Sequence, residues 1–122
     1  MAKRNRIGLY ELGSRNVRLL TRSGTGGEFT TAGEAGLGEI CVGLDYETWR
    51  EVFITLLHEV IEYAYMDMGV RFRPDQDYSN AADGYWFFCN HPQFDEVVAR
   101  AGMFLSQAVP DLVHTYKKRG KK

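Results

Sequence analysis

Short apolar stretches alternate with polar connections in the first third of the chain, and this pattern predicts a small sheet. Residues 7–12 and 17–21 are apolar runs separated by turn-forming residues, which is typical of a β-hairpin. Residues 39–44 form a further predicted strand that leads directly into a helix. The glycine-rich stretch 23–38 is interpreted as a mobile loop or as a weak strand around residues 29–31.

Apolar residues recur with helical spacing in the rest of the chain. The first predicted helix begins at Asp45 or Thr48 and ends at Gly69, a residue that favours helix termination. A second helix is predicted over residues 92–110, between two prolines, and a short third helix over residues 111–118. Together these elements predict an α+β fold, in which a small, antiparallel-rich sheet packs on the long helix and on a second, C-terminal helix.

The composition fits a single domain spanning residues 1–122. Hydrophobic residues make up 44% of the chain, enough for a core, but no apolar run is long enough to cross a membrane. Cys41 and Cys89 are far apart in the sequence and are interpreted as buried thiols in a reducing cytoplasm, since no standard secretion signal is evident. The four aromatic residues 85–88 are expected to pack in the core.

Charge is segregated along the chain although the net charge is only -1. Three basic residues lie within residues 1–6 and five within residues 117–122, and these two segments are expected to be flexible tails. The seven other basic and sixteen acidic residues leave the remainder of the chain at -9. We therefore expect nucleic-acid contact only through the basic tails.

One row of polar residues stands out on the first predicted helix. Glu51, Thr55, His58 and Glu62 are spaced so that they share one face, and Glu59 lies at the edge of that face. The other positions are largely apolar, which predicts that the helix is mostly buried. Burying carboxylates and an imidazole without partners costs several kcal/mol, and a bound cation would remove that cost.

The segment His58-Glu59-Val60-Ile61-Glu62, together with the strand that precedes it, resembles the active-site helix of the zincin metallopeptidases, whose motif is HExxH. It is similar in particular to small zincin-like proteins encoded in bacteriophage genomes. The resemblance implies that His58 is a metal ligand and that Glu59 is the general base for the attacking water. Glu62 stands where the family has its second histidine, so a carboxylate would replace an imidazole as ligand.

The resemblance extends to residues 95–102, which look like the second helix of the phage proteins. It places Asp95 at the position of the third metal ligand, with Glu96 and His91 as alternatives. The implied cofactor is zinc, or a harder divalent cation such as manganese, magnesium or iron, because Glu62 adds an oxygen ligand.

The function expected from this resemblance is that of a metal-dependent hydrolase, a peptidase whose substrate lies along the edge of the strand at residues 39–44. An alternative is a catalytically inactive zincin-like phage protein that binds a host or virion protein. Ordinary structural roles also remain open. His58 and Glu62 would form a common i,i+4 pair, Glu59 would face solvent, and Asp95 would offset a helix dipole.

Overall fold

The computed structural model of the chain describes residues 3–72 and 86–119, and its fold is α+β, as predicted. A four-stranded sheet packs against two helices, and two short strands pair with each other. The elements are β1 (Asn5–Leu12), β2 (Arg15–Arg22), β3 (Gly27–Thr30), β4 (Gly38–Gly43), α1 (Trp49–Asp67), β5 (Arg71–Phe72), β6 (Trp86–Phe87) and α2 (His91–Lys118). Neither helix is long and apolar enough to span a membrane within the described residues.

The predicted hairpin is formed by β1 and β2. The two strands pair antiparallel, and Leu12 lies opposite Arg15 at the tight turn between them. Gly13 occupies that turn with a φ of 66°, a conformation that glycine adopts without steric cost.

The strand β4 lies inside the sheet rather than at its edge. The strand order is β1-β2-β4-β3, in which β4 pairs in parallel with β2 and antiparallel with β3. The sheet is therefore mixed, with two antiparallel pairings and one parallel pairing. The expectation that a peptide lies along the edge of residues 39–44 is wrong, because both edges of that strand are already paired.

The glycine-rich stretch supplies the edge strand β3, which covers Gly27–Thr30 instead of residues 29–31. The chain leaves β2 and turns through Gly24 and Gly26, which have φ values of 85° and 78°. The guanidinium of Arg22 donates to both carboxylate oxygens of Glu28, at 3.1 and 2.7 Å. This two-point ion pair fixes β3 to the end of β2 across the glycine-containing turn.

The first helix begins and ends where its capping residues indicate. Thr48 is the N-cap of α1, and its hydroxyl accepts the backbone N–H of Glu51 at 3.4 Å. Gly69 follows the last turn with a φ of 75°. The helix is buried along one face only, and Ile54 is 56% exposed. The expectation of a mostly buried helix is therefore wrong, because the sheet and α2 cover one side of α1.

The second helix is continuous over 28 residues, whereas the sequence predicts an end at Pro110 and a separate helix over residues 111–118. Pro110 and Ser106 are both exposed, so water can reach the carbonyl that the missing proline N–H leaves without a partner. Ala108 and Leu112 are fully buried on the opposite side. Their packing stabilises the helix on both sides of the proline.

The core lies between the inner face of the sheet and the two helices. The Tyr10 ring packs edge-on against the Phe104 ring with centroids 5.6 Å apart, and its hydroxyl donates to Asp111 at 2.6 Å. Cys41 is buried as predicted, and burial raises the pKa of its thiol to about 11. Cys89 is half-buried instead.

The aromatic run at residues 85–88 does not join the core where the structure describes it. Phe87 and Phe88 are 44% and 55% exposed, so the core assignment is wrong for both. The reason is that β6 pairs with β5 rather than with the four-stranded sheet. The Phe87 ring packs on the Tyr65 ring of α1, with centroids 4.9 Å apart. Tyr85 lies outside the described residues.

Parts of the expected flexible basic tails belong to regular elements. Arg6 lies in β1, and Lys117 and Lys118 lie in the last turn of α2. Residues 1–2 and 120–122 lie outside the described residues.

Candidate functional site

The edge strand β3 lies against the polar row of α1 and forms a cleft with it. A Cβ atom added to Gly27 would be 2.9 Å from Cγ of Glu59 and 3.1 Å from Cγ2 of Thr55, so only glycine allows this approach without displacement. The resulting cavity has a volume of about 450 Å³ and is called here the α1–β3 cleft. It is lined by Gly27, Glu28, Phe29, Thr30, Thr31, Glu59, Glu62, Met66 and Arg71.

His58 and Glu62 meet beside this cleft. Nε2 of His58 lies 3.2 Å from Oε2 of Glu62, the separation of an ordinary i,i+4 pair. Two ligand atoms that each lie about 2.0 Å from one tetrahedral zinc are about 3.3 Å apart, so the pair also fits a shared cation. The His58 side chain is 68% exposed. Burial of this histidine therefore does not demand a cation, contrary to the argument from the apolar surroundings in the sequence.

Glu59 is the buried member of the row. It is only 8% exposed, so the interpretation of this residue as solvent-facing is wrong. Burial raises the pKa of its carboxyl; the nearby His58 opposes that rise, and the carboxylates of Glu62 and Glu28 add to it. One of its oxygens lies 4.0 Å from Nε2 of His58. A carboxyl with a raised pKa at the wall of a cleft is suited to accept and return a proton.

Arg71 is the cleft residue that sequence reasoning missed. Its Nη1 donates to Oε1 of Glu62 at 2.8 Å, and the two side chains are 13% and 20% exposed. The guanidinium also lies over the Phe29 ring, 5.4 Å from its centroid. The contact depends on the turn at Gly69, which directs the chain back along α1. The signal available in the sequence was that an arginine follows Gly69, the predicted end of the helix, by two positions.

The outer edge of β3 borders the same cleft. In the described part of the chain, β3 is the last strand of the sheet and pairs only with β4. Its other backbone edge therefore has N–H and C=O groups to which an extended chain can add by strand pairing.

Asp95 lies one turn into α2, whose first turn holds no acidic residue, and its carboxylate is 3.3 Å from Nδ1 of His91. Glu96 pairs with Arg100 at 3.1 Å. The two helices run antiparallel, since Arg100 near the start of α2 pairs with Asp67 at the end of α1. From the helical rise, Asp95 and His58 are about 20 Å apart along the helix axes.

The structure thus brings together His58, Glu59 and Glu62 but does not bring Asp95, Glu96 or His91 to them. No group of three histidine, cysteine or acidic residues suited to hold a metal occurs within residues 3–72 and 86–119. The donor set that fits a cation is one imidazole nitrogen and one carboxylate oxygen, and the described residues supply no third protein donor.

Comparison of the chain with protein-family models, with curated proteins and with solved structures found no match. The site is therefore interpreted from its own geometry.

Proposed function

We propose that the α1–β3 cleft is the active site of a zincin-like, metal-dependent hydrolase that acts on an extended peptide. The observation that carries this proposal is the position of Glu59. This buried carboxyl with a raised pKa lies in a cleft, beside a pair of potential metal ligands and beside the edge of β3 with which no other described strand pairs.

His58 and Glu62 are the residues that would hold the cation, through Nε2 and Oε2. A bound divalent cation lowers the pKa of water and polarises the carbonyl group that is attacked. Glu59 accepts the proton of the attacking water and delivers it to the leaving amine. Its raised pKa supports this role, because a proton-transfer group works best when its pKa approaches the working pH.

The edge of β3 supports a peptide as the substrate. Backbone hydrogen bonds to Gly27–Thr30 would hold an extended chain in register, as in other cases of strand addition. Gly27 lies against Glu59, so a chain paired with β3 would pass close to the proposed base. We therefore propose β3, and not residues 39–44, as the strand along which the substrate lies.

The test is cleavage of a pool of synthetic peptides by the purified protein with added zinc or manganese. We expect cleavage that falls by about 100-fold or more in Glu59→Gln, since general base catalysis contributes on that order. Glu47→Gln is the matched control, because Glu47 is exposed and precedes α1. Cleavage that is equal in the two variants would exclude Glu59 as the base.

A second candidate function is peptide binding without hydrolysis, in line with an inactive zincin-like protein that binds a host or virion protein. The ion pair between Arg71 and Glu62 favours it, because a guanidinium already neutralises the carboxylate that would bind a cation. In this case peptides would bind to the cleft and remain intact, with or without metal.

A further inference from the structure

The fold brings basic residues from the two ends of the sequence to one surface. A groove of about 430 Å³ runs between the start of β1 and the last turns of α2. We call it the basic groove, and its polar lining comprises Asn5, Arg6, Thr21, His114, Thr115, Lys118 and Arg119. It lies beside β1, whereas the α1–β3 cleft lies at the opposite edge of the sheet.

Arg119 is held in place by neutral groups. It donates to the Tyr46 carbonyl at 2.9 Å, to the Tyr116 carbonyl at 2.9 Å and to the Tyr116 hydroxyl at 2.8 Å. Its guanidinium also stacks on the Tyr116 ring, 3.5 Å from the centroid. None of these partners is a carboxylate, so the positive charge is fixed in position but not neutralised by them.

The neighbouring cations are accessible as well. Lys118 is exposed, and within the described residues no carboxylate lies within ion-pair distance of it. Arg6 pairs with Glu34 at 2.7 Å, but the two side chains are 58% and 70% exposed. An exposed pair of this kind contributes little stability and exchanges readily for another anion.

We propose that the basic groove binds the phosphate backbone of a nucleic acid without reading its sequence. The groove gathers Arg6, Lys118 and Arg119, whereas the residues between positions 6 and 117 together carry a charge of -9, so an anionic chain is attracted to the groove more than to the rest of the chain. The adjoining cavity, which shares Arg119, adds Arg22 and one carboxylate, Asp45. Cations from β1 and α2 line its two walls together with the amide of Asn5 and the hydroxyl of Thr115, and both types of group hydrogen-bond phosphate oxygens. A concave groove fits a strand better than it fits a flat lipid surface.

The test is fluorescence anisotropy with a labelled DNA duplex of about 20 base pairs, titrated at several salt concentrations. Three phosphate contacts, from Arg6, Lys118 and Arg119, predict a slope of about -3 in log affinity against log salt, which is about a 40-fold loss between 50 and 200 mM. Arg6→Gln should reduce the slope to about -2, and Arg6→Gln with Lys118→Gln to about -1.

Arg15→Gln is the matched control. It also removes one positive charge and one ion pair of an exposed arginine, that of Arg15 with Asp67 at 2.9 Å, and Asp67 keeps its pair with Arg100. Arg15 lies at the far end of the hairpin from the basic groove. We expect its affinity to stay within about twofold of the parent, because it lacks a phosphate contact.

Equal losses of duplex affinity in Arg6→Gln and Arg15→Gln would overturn the proposal. They would show that binding depends on the net charge of the protein and not on the basic groove. Absence of duplex binding at low salt would also overturn it, as would binding to phosphatidylserine vesicles in place of the duplex. None of these results bears on the hydrolase proposal, which concerns the cleft at the opposite edge of the sheet.

Discussion

Gly27→Ala tests the close approach of β3 to α1, on which the whole cleft depends. The added methyl group would lie 2.9 Å from Cγ of Glu59, and 3.1 Å from both the Cys41 carbonyl oxygen and Cγ2 of Thr55. Carbon atoms in favourable contact are about 3.5–4.0 Å apart, so β3 or α1 must move by about half an ångström or more. The Cys41 carbonyl belongs to the backbone of β4 and cannot turn away.

The size of the effect follows from two opposing contributions. Overpacking of one methyl group costs about 1–3 kcal/mol. Alanine recovers about 0.5–1 kcal/mol because it restricts the unfolded chain more than glycine does. The net loss is about 0–2.5 kcal/mol with a midpoint of about 1.3 kcal/mol, and for 122 residues each kcal/mol corresponds to about 4 °C in Tm. We therefore expect a Tm about 5 °C below that of the parent.

The assay is thermal unfolding followed by circular dichroism, with Gly102→Ala as the matched control. Gly102 lies inside α2, and apart from its chain neighbours and the backbone of its own helix no described atom is within 4 Å of a Cβ placed there. The same substitution should therefore raise Tm by about 2–4 °C through helix propensity. A Tm for Gly27→Ala at or above the parent value would refute the reasoning, since it would mean that β3 does not lie against Glu59.

Three further predictions concern single residues. Glu59→Gln should raise Tm more at about pH 7.5 than at about pH 4.5. Burial raises the pKa of Glu59 in the folded state, so the folded protein loses stability as the pH rises through that pKa, and a neutral glutamine removes this loss. A gain in Tm that is independent of pH would contradict this. Arg71→Gln should lower the free energy of unfolding by about 1–3 kcal/mol in denaturant unfolding, because the Glu62 carboxylate stays largely buried but no longer has the guanidinium as its partner. An unchanged denaturant midpoint would contradict the contribution of this ion pair. The Cys41 thiol should react with a disulfide reagent only after unfolding, because it is buried and its pKa is raised to about 11. Rapid reaction of two thiols per chain in the native protein would contradict its burial.

Local signals in the sequence predicted the elements that depend on neighbouring residues. The cap at Thr48 and the stop at Gly69 bound the first helix, because a helix end needs partners for its own backbone groups. The turn at Gly13 defined the hairpin for a similar reason. His58 and Glu62 are close because four residues make about one helical turn.

Features that depend on distant parts of the chain could not be predicted in this way. The insertion of β4 between β2 and β3 is set by the packing of the whole sheet. The ion pair of Arg71 with Glu62 and the separation of Asp95 from His58 both depend on how the chain continues after α1. The helix propensity of proline likewise predicts that the second helix ends at Pro110, but the packing of buried residues on both sides of it stabilises the continuous helix.

The most direct test of the account is calorimetric titration of zinc and of manganese into the parent protein, His58→Ala and Glu62→Ala. His114→Ala is the matched control, since this exposed histidine lines the basic groove and not the cleft. The account predicts one cation per chain in the parent and in His114→Ala, and loss of binding in the other two variants. Equal binding in all four proteins, or no binding in any of them, would contradict the proposed metal site.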